Sequence, residues 1–296
     1  MLPNWYSEYK NLIEHSLNKY LKDYFKNNTS EVLKSFEDII IYSTRWGKKI
    51  RSILALEFYL SFTSKNLKEI NLDDDIIKYC IALEIVHAFS LIHDDLPCMD
   101  NDTLRRWELT VWKKYWEANA VLAGDLLNTL AFEILSELSN PKASQQLSKL
   151  LSHAIWLYGM VWWQVEDIYF EHNEEKLTKE LLEKLHNKKT WALIESSVLW
   201  GIILAEKQWE IDNYSSFWKK LGLAFQIKDD LLDVEWSAEE VGKSVWGEQK
   251  WFVHFVWLEQ AKTDLNNLIN NCLHAVKNLD SEKLDFIVHY IGERKK

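Results

Sequence analysis

Apolar positions recur at intervals of three and four residues along most of this chain, which is the period of an amphipathic α-helix. Leu17, Leu21 and Phe25 form one such face near the start. The pattern predicts helices near residues 7–27, 30–41, 47–62, 75–95, 117–137, 143–161, 178–187, 190–206, 213–234, 251–278 and 281–292. No segment alternates convincingly with the two-residue period of a strand. We therefore predict an all-α protein.

The predicted helices are separated by short interruptions, at residues 64–75, 97–107, 139–141, 172–176 and 236–249. None of them is rich enough in Ser or Gly to be an interdomain linker. The absence of a repeat of about 20–50 residues argues against a helical solenoid. We therefore expect residues 1–296 to form a single domain, a large helical bundle around a central cavity.

Composition agrees with a helical, globular chain. The 296 residues include only 8 Gly and 3 Pro, which argues against a turn-rich β fold. Apolar residues make up 47 % and charged residues 27 %, so the chain can bury a sizeable core. A net charge of −10 disfavours a general affinity for nucleic acid. Any anion that the protein binds therefore requires a local basic site or a metal.

The cysteines and the first residues bear on the compartment. Cys80, Cys98 and Cys272 are odd in number and widely spaced, so they form neither a disulfide framework nor a zinc motif. The start of the chain lacks the basic and apolar segments of a secretion signal, and no stretch approaches ~18 uncharged apolar residues. We expect a cytoplasmic protein without a transmembrane segment.

A first acidic cluster, residues 94–100, closes a strongly apolar predicted helix and contains Asp94, Asp95 and Asp100. Pro97 cannot continue the helix without losing a backbone hydrogen bond, so the chain should bend and bring Asp100 back toward Asp94. Without the bend, six residues at ~100° each would place these two carboxylates on different faces. The alternative is a solvated acidic helix end.

A second acidic cluster, residues 229–233, contains Asp229, Asp230 and Asp233. Asp229 and Asp233 lie one helical turn apart on one face, and carboxylate oxygens in this arrangement suit Mg²⁺. Either cluster alone is a weak signal. Two of them, each ending or interrupting an apolar helix, favour a cation site at the mouth of an apolar cavity.

Basic residues accompany the acidic clusters, namely Lys48, Lys49, Arg51, Arg105, Arg106, Lys189 and Lys243. They could form surface ion pairs only, which contribute little. Alternatively, they could clamp oligophosphates together with divalent cations. His87 lies seven residues before Asp94 on the same side of its helix, although a lone histidine there is more often a satisfied core residue.

The segment 82–106, which contains the first acidic cluster and Arg105-Arg106, resembles the trans-isoprenyl diphosphate synthases, specifically the bacterial farnesyl diphosphate synthase type. Residues 120–125 (AVLAGD), 47–51 (GKKIR), 189–190 (KT) and 225–233 match that family's other motifs in the same order. The resemblance extends from about residue 40 to the C-terminus. It implies the isoprenoid synthase fold, a Mg²⁺ cofactor and a homodimer.

The resemblance also implies two diphosphate pockets and a role for each residue in them. Mg²⁺ on the allylic diphosphate would be held by Asp94, Asp100 and Asp229, supported by Asp95, Asp230 and Asp233. The same diphosphate would be contacted by Arg105, Lys189, Thr190, Gln226 and Lys243. Isopentenyl diphosphate would be held without metal by Lys48, Arg51, His87 and Arg106. The catalytic set would be Asp94, Asp100, Arg105, Lys189 and Asp229.

The implied reaction makes farnesyl diphosphate from isopentenyl diphosphate and dimethylallyl or geranyl diphosphate. The family associates an aromatic residue five positions before the first aspartate with a C15 product, and Phe89 stands there; otherwise Phe89 is an ordinary core residue. The alternatives are a geranylgeranyl diphosphate synthase and a non-catalytic partner subunit. A class I terpene cyclase is a third alternative, disfavoured by the two full acidic clusters.

Tryptophan stands where the family usually has glycine, at Trp46, Trp107, Trp116, Trp162, Trp163 and Trp191. Trp112 stands where a histidine is common. Glycine at such positions serves a positive φ or a close backbone approach, so an indole should destabilise the fold by ~1–3 kcal/mol each. Alternatively, these tryptophans pack as ordinary core or cavity-wall aromatics.

Overall fold

A computed structural model describes residues 2–27, 29–156, 159–171, 173, 191–235 and 257–294. Nearly all regular structure in these residues is α-helical. The helices are α1 (Asn4–Phe25), α2 (Glu31–Thr44), α3 (Ile50–Phe62), α4 (Asp75–Asp94), α5 (Val111–Tyr115), α6 (Glu117–Ser136), α7 (Pro141–Ile155), α8 (Met160–Glu171), α9 (Trp191–Leu204), α10 (Ile211–Glu235), α11 (Leu258–Val276) and α12 (Glu282–Glu293). The all-α prediction is confirmed.

Several boundaries differ from the prediction. The predicted helix 143–161 corresponds to α7, which ends at Ile155, and α8, which extends from Met160 to Glu171, was not predicted as a helix of its own. A short hairpin, β1 (Leu104–Arg105) with β2 (Glu108–Leu109), was not predicted, because strands of two residues are too short to show an alternating pattern. Its antiparallel register places Leu104 opposite Leu109 and Arg105 opposite Glu108. The predicted helix 178–187 lies outside the described residues.

The chain divides into two compact units. The first contains residues 1–56 and 64–148, and the second contains residues 57–63 and 149–296. The expectation of a single domain with a central cavity remains a prediction.

The core of the first unit is built around α4, which packs mainly against α6. Helix α4 is apolar on nearly all sides, and a helix of this composition is buried. Both α4 and α6 are long and apolar enough to cross a membrane by length and composition alone, but 78 % of the apolar window of α4 and 44 % of that of α6 are buried inside the structure. The core helix of a folded domain has the same composition.

The second unit is organised around α10, which packs against α9 and α11. Trp200 and Phe217 are among its largest fully buried side chains. Phe58 makes an edge-to-face contact with Tyr214, with ring centroids 5.5 Å apart. This packing fixes α10, the helix on which the second acidic cluster stands.

Candidate active site

The first acidic cluster lies at the end of α4, where the expected bend is present. The helix ends at Asp94, three residues before Pro97. The chain then turns back, and the backbone N–H of Asp100 donates to the carbonyl oxygen of Asp94 at 2.9 Å. This bond brings the backbone of Asp100 next to that of Asp94, as the sequence predicted.

The middle aspartate of this cluster, Asp95, is held by an arginine. Arg105 Nε donates to the two carboxylate oxygens of Asp95 at 2.8 and 3.0 Å, and Arg105 Nη2 also donates to Asp95. Asp95 is only 3 % exposed. Burial lowers the pKa of Arg105, but its hydrogen bonds and charge attraction to Asp95 outweigh this and raise the pKa above its ordinary value. Asp95 therefore supports the site by fixing Arg105.

A cluster of cationic and imidazole groups lies beside this pair. Arg51 Nη1 is 3.4 Å from His87 Nε2. Burial lowers the pKa of His87 well below its ordinary value, and the charges of Arg51 and Arg106 lower it further. His87 is therefore neutral at pH 7, with one ring nitrogen as donor and the other as acceptor. Neutral His87 and the two arginines make this region attractive to an anion.

The loop before α3 lies against the same cluster. Gly47 has a φ of 126°, and a Cβ built there would lie 3.1 Å from Arg106 Nη1. A side chain at this position would therefore push on the arginine. The carbonyl oxygen of Lys48 accepts a hydrogen bond from the Tyr6 hydroxyl at 2.5 Å. The loop that carries Lys48 is thus anchored by α1.

One cavity of the first unit collects part of the predicted site. Its wall includes His87, Asp95, Arg105, Arg106 and Trp46. The wall also includes Lys49, which sequence analysis named only among the basic residues, and Glu84, which it did not name, together with apolar side chains from α4. Lys48, Arg51, Asp94 and Asp100 are not part of this wall. The cavity is therefore mixed, with cations at one side and an apolar helix face at the other.

The second acidic cluster lies in the last turns of α10. Arg294 Nη2 donates to Asp229 Oδ1 at 2.8 Å and to the Phe225 carbonyl oxygen at 2.9 Å. The guanidinium stacks on the Phe225 ring at 3.7 Å from its centroid. Asp230 is buried and accepts a hydrogen bond from Gln226 Nε2 at 3.0 Å. The Asp229 side chain remains 41 % exposed, so it can take a further partner.

Some predicted residues fall outside this description. They are Lys189, Thr190 and Lys243, together with the side chain of Asp233. Phe89 is described: it is buried, and its ring meets the His93 ring edge-on at 5.6 Å. This placement agrees both with a cavity floor and with an ordinary core residue.

The acidic donors present suit magnesium. Among the described residues, no group of three or more His, Cys, Asp or Glu side chains is arranged as a complete metal site. Mg²⁺ is usually bound by one or two carboxylates, with substrate phosphates and waters as the remaining ligands. The Asp229 side chain, which is 41 % exposed, is a carboxylate of this kind, and the backbone bond between Asp100 and Asp94 brings two further aspartates to one loop.

Sequence reasoning missed Glu84 and Arg294, and it gave Lys49 no role beyond that of a basic residue near the acidic clusters. Glu84 is a buried carboxylate on an otherwise apolar helix, and Lys49 is its partner at 3.3 Å. A charge in the middle of an apolar helix could have indicated such a pair, because charged residues are almost never fully buried alone. Arg294 gave no signal, since it is 65 residues from Asp229 along the chain.

The tryptophans at glycine positions behave in different ways. Trp107 has a φ of 70° and Trp116 a φ of 78°, so the expected backbone strain is present at these two. Trp46 is not among the residues with positive φ. Trp162 and Trp163 lie inside α8, where the backbone is helical. Trp191 begins α9, and its side chain is outside the described set.

The amino-acid sequence is similar to those of known prenyl diphosphate synthases. The polyprenyl synthetase family matches residues 33–290. The farnesyl diphosphate synthase of Micrococcus luteus is 38 % identical, over 98 % of this chain and 97 % of its own, and that of Bacillus subtilis is 33 % identical, over 95 % and 94 %. A chloroplastic geranylgeranyl pyrophosphate synthase of Capsicum annuum is 37 % identical over 84 % of this chain and 68 % of its own.

Solved structures of prenyl diphosphate synthases are similar to this chain over nearly its whole length. The geranyltransferase of Helicobacter pylori, complexed with magnesium and isoprenyl diphosphate, is 30 % identical and covers 98 % of this chain and 97 % of its own, with a TM-score of 0.78. A farnesyl/geranylfarnesyl diphosphate synthase of Zymomonas mobilis is 26 % identical with a TM-score of 0.77, over 97 % and 98 %. The family match, the relatives that cover nearly the whole chain and the solved structures all indicate the same family. This chain belongs to the polyprenyl synthetase family.

Proposed function

We propose that this protein is a prenyltransferase that condenses isopentenyl diphosphate with dimethylallyl and then geranyl diphosphate to give farnesyl diphosphate. The observation that carries the proposal is the cationic cluster of the first unit, where Arg51, His87 and Arg106 lie beside the Arg105–Asp95 pair. Three arginines and a neutral histidine close together can bind the oxygens of a diphosphate. The farnesyl diphosphate synthases among the relatives support the same activity.

Isopentenyl diphosphate would bind without metal, through Lys48, Arg51, His87 and Arg106. Arginine forks suit the oxygens of a phosphate group. His87 is neutral because burial and the neighbouring arginines lower its pKa, so it would donate one hydrogen bond without adding charge. The diphosphate would then be held mainly by the charges of its lysine and arginines.

The allylic diphosphate would bind through Asp94, Asp100 and Asp229 with Mg²⁺, which neutralises the negative charge that develops on the departing diphosphate. Arg105 would contact this diphosphate directly, oriented by Asp95. Lys189, Thr190, Gln226 and Lys243 would complete the contacts. Asp230 accepts a hydrogen bond from Gln226, so it would orient that amide. Asp233 would support the same cluster from the next turn of α10.

These groups would act where charge develops. The allylic C–O bond breaks, and its electron pair leaves with the diphosphate. The double bond of isopentenyl diphosphate supplies the electron pair for the new carbon–carbon bond, and a proton is then lost to the released diphosphate. Apolar side chains around the site would exclude water, which would otherwise capture the allylic cation.

Phe89 would set the product length at C15. Its ring is already buried, so a longer chain would have to overpack a dense interior. Phe89→Ala should therefore shift the main product from C15 toward C20, without changing any charged residue. A geranylgeranyl synthase is the second candidate, because such enzymes are also among the relatives. Product chromatography separates the two, since a C20 product from the unmodified protein would refute the farnesyl assignment.

The protein would work as a homodimer in the cytoplasm. All three cysteines are free thiols, which suits a reducing compartment. The dimer is proposed by likeness to the family. Analytical ultracentrifugation of the purified protein tests it, and a single monomeric species at assay concentration would contradict it.

The decisive assay combines the purified protein with radiolabelled isopentenyl diphosphate, dimethylallyl diphosphate and Mg²⁺. We expect labelled farnesyl diphosphate, and none when Mg²⁺ is omitted. A folded protein that makes no product would favour the non-catalytic partner subunit. A terpene cyclase would leave the labelled isopentenyl diphosphate unused, and would release a hydrocarbon and diphosphate when given geranyl or farnesyl diphosphate alone.

A further inference from the structure

A buried ion pair lies directly beneath the cationic cluster. Lys49 Nζ is 3.3 Å from a Glu84 carboxylate oxygen, and the two side chains are 1 % and 5 % exposed. The same ammonium donates to the carbonyl oxygens of Thr44 at 3.0 Å and Trp46 at 3.2 Å. A lysine ammonium has three N–H donors, so these three partners satisfy it completely. Glu84 in turn accepts from the Ser52 hydroxyl at 2.6 Å.

This network joins three helices at one loop. Thr44 ends α2, Ser52 lies in the first turn of α3, and Glu84 stands in the middle of α4. Lys49 itself has a φ of 56°, a conformation that costs energy in a residue with a side chain. The network therefore fixes the short segment between α2 and α3 in one conformation.

The segment that is fixed carries proposed substrate residues. Lys48 precedes Lys49 directly, and Arg51 follows two residues later. Glu84 stands three residues, nearly one turn, before His87 on the same helix. Both ends of the ion pair are thus adjacent in sequence to groups that would hold isopentenyl diphosphate.

Stability alone is a poor reason for such a pair. Removing two charges from water is costly, and well-packed apolar residues often replace a buried ion pair without loss of stability. A satisfied polar network does, however, specify one geometry. We propose that Lys49 and Glu84 are positioning residues, which hold Lys48, Arg51 and His87 in the geometry that binds isopentenyl diphosphate; the identity of this ligand rests on the proposed function.

Glu84→Gln tests the inference because two explanations predict opposite signs. If Glu84 acts only through its charge, removing that charge makes the pocket more positive and tightens binding of an anion. If Glu84 positions the cations, the same change weakens binding. We expect isothermal titration calorimetry with isopentenyl diphosphate, without metal or allylic substrate, to give at least a fivefold higher Kd. An unchanged or lower Kd would overturn the proposal.

A matched control is available in the second unit. Glu57 also accepts from a serine hydroxyl, that of Ser281 at 2.7 Å, and lies 3.6 Å from Lys283 Nζ. Glu57→Gln should leave the Kd for isopentenyl diphosphate unchanged. A similar rise in both variants would mean that loss of any buried carboxylate has this effect, and would refute a specific role for Glu84.

A double variant covers the case in which Glu84→Gln does not fold. Lys49→Met with Glu84→Leu removes both charges, so we expect its Tm to stay near that of the unmodified protein. Its KM for isopentenyl diphosphate should rise at least fivefold, while the KM for geranyl diphosphate stays the same. Equal effects on both substrates would contradict the proposal. Binding is measured without turnover, so a protein that binds but makes no product would refute only the proposed function.

A separate observation concerns two tryptophans whose backbone fits glycine. Trp116 has φ 78° and ψ 152°, a region that is essentially restricted to glycine. Trp107 has a φ of 70°. The two residues are 80 % and 67 % exposed, so little buried area offsets the strain. A bulky residue at positive φ is an outlier even when it is buried.

Composition points in the same direction. The chain has 16 Trp and only 8 Gly, whereas a protein of this length usually has about 20 glycines. The codon UGA is read as tryptophan in some genetic codes and as glycine in others. We infer that the protein made in its own cells carries glycine at positions 107 and 116, because both codons are UGA.

The gene and the native protein test this directly. We expect UGA at both codons, and peptide masses from the protein purified from its own cells that fit glycine. Trp112 is the control, because its indole N–H donates to the Asp102 carbonyl oxygen at 2.7 Å, a bond that glycine cannot make. It should have the codon UGG and the mass of tryptophan. UGG, or the mass of tryptophan, at position 107 or 116 would overturn the inference for that position.

Discussion

Both acidic clusters contain an aspartate paired with an arginine, but they use the pair differently. In the first cluster the paired residue is Asp95, which is buried and only supports the proposed metal ligands. In the second cluster the paired residue is Asp229, which is itself the proposed metal ligand and is partly exposed. Arg105 therefore supports a carboxylate behind the site, whereas Arg294 competes for a carboxylate within it.

The two pairs differ in how readily they can be broken. The Arg105–Asp95 pair is costly to break, because Asp95, which is 3 % exposed, would be left as an unpaired charge away from water. In the second pair the carboxylate is the accessible partner, with 41 % of the Asp229 side chain exposed against 7 % of that of Arg294. Asp229 can therefore exchange its arginine for another cation, while Arg294 keeps its hydrogen bond to the Phe225 carbonyl oxygen. We therefore expect the Arg105–Asp95 pair to persist through turnover and the Arg294–Asp229 bond to yield to magnesium.

The largest expected effect comes from removing a metal ligand in each cluster. Asp94→Ala and Asp229→Ala should each lower kcat by about a thousandfold or more, because each removes a carboxylate that holds the charge-neutralising ion. Helical circular dichroism should be unchanged. A near-normal rate in either variant would show that the corresponding cluster does not hold metal.

Breaking the Arg105–Asp95 pair should lower the stability of the fold as well as the rate of the reaction. Asp95→Asn removes the carboxylate that accepts the Arg105 hydrogen bonds and leaves that guanidinium with Asp102 at 3.8 Å, so we expect the free energy of unfolding to fall by about 2 kcal/mol. Urea denaturation measures it. A loss smaller than that in Arg294→Gln would reverse the distinction between the clusters.

The neutral His87 predicts a pH dependence in the first unit. Its pKa in the folded protein is well below the ordinary value, so only the unfolded chain takes up a proton as the pH falls below about 6.5. Stability should therefore fall by up to about 1.4 kcal/mol per pH unit from that point down to the folded pKa. His87→Gln should flatten this part of the stability curve. An equally steep curve in the variant would assign the dependence to another group.

The smallest effect is expected at the second pair. Arg294→Gln should destabilise the protein by about 1 kcal/mol, because water solvates the Asp229 carboxylate, which is 41 % exposed, while the buried guanidinium loses its bond to the Phe225 carbonyl oxygen. The magnesium concentration for half-maximal turnover should fall, since a competing cation has been removed. Arg294→Lys, which keeps the charge, is the control. A higher magnesium requirement in Arg294→Gln would show that Arg294 assists the metal instead.

The sequence predicted most of the helices because they have either an apolar face that recurs every three to four residues, as in α1, or an unbroken apolar run, as in α4. It also predicted the bend after Asp94, because Pro97 imposes it locally. The hairpin of β1 and β2 was missed because two-residue strands have no measurable period. The correct predictions thus depend on patterns within short stretches of sequence, namely the apolar pattern of a helix and the effect of a proline.

Pairings between distant residues were beyond the same rules. Lys49 follows Lys48, so spacing alone suggested one basic group, yet the structure buries Lys49 against Glu84 on another helix. Arg294 and Asp229 are likewise joined only by the folded chain. Charge type shows that a buried partner is needed, but only the packing of helices shows which residue it is.

The hydrogen bond from Tyr6 to the carbonyl oxygen of Lys48 bears on protein engineering. Tyr6 lies before residue 33, where the family match begins. A protein shortened to that border would keep every candidate substrate residue, yet the loop that carries Lys48 would lose its attachment to α1. We therefore expect a protein that begins at residue 33 to keep the candidate substrate residues but to bind the substrate more weakly. Tags and fusions at this end of the chain act on the same loop.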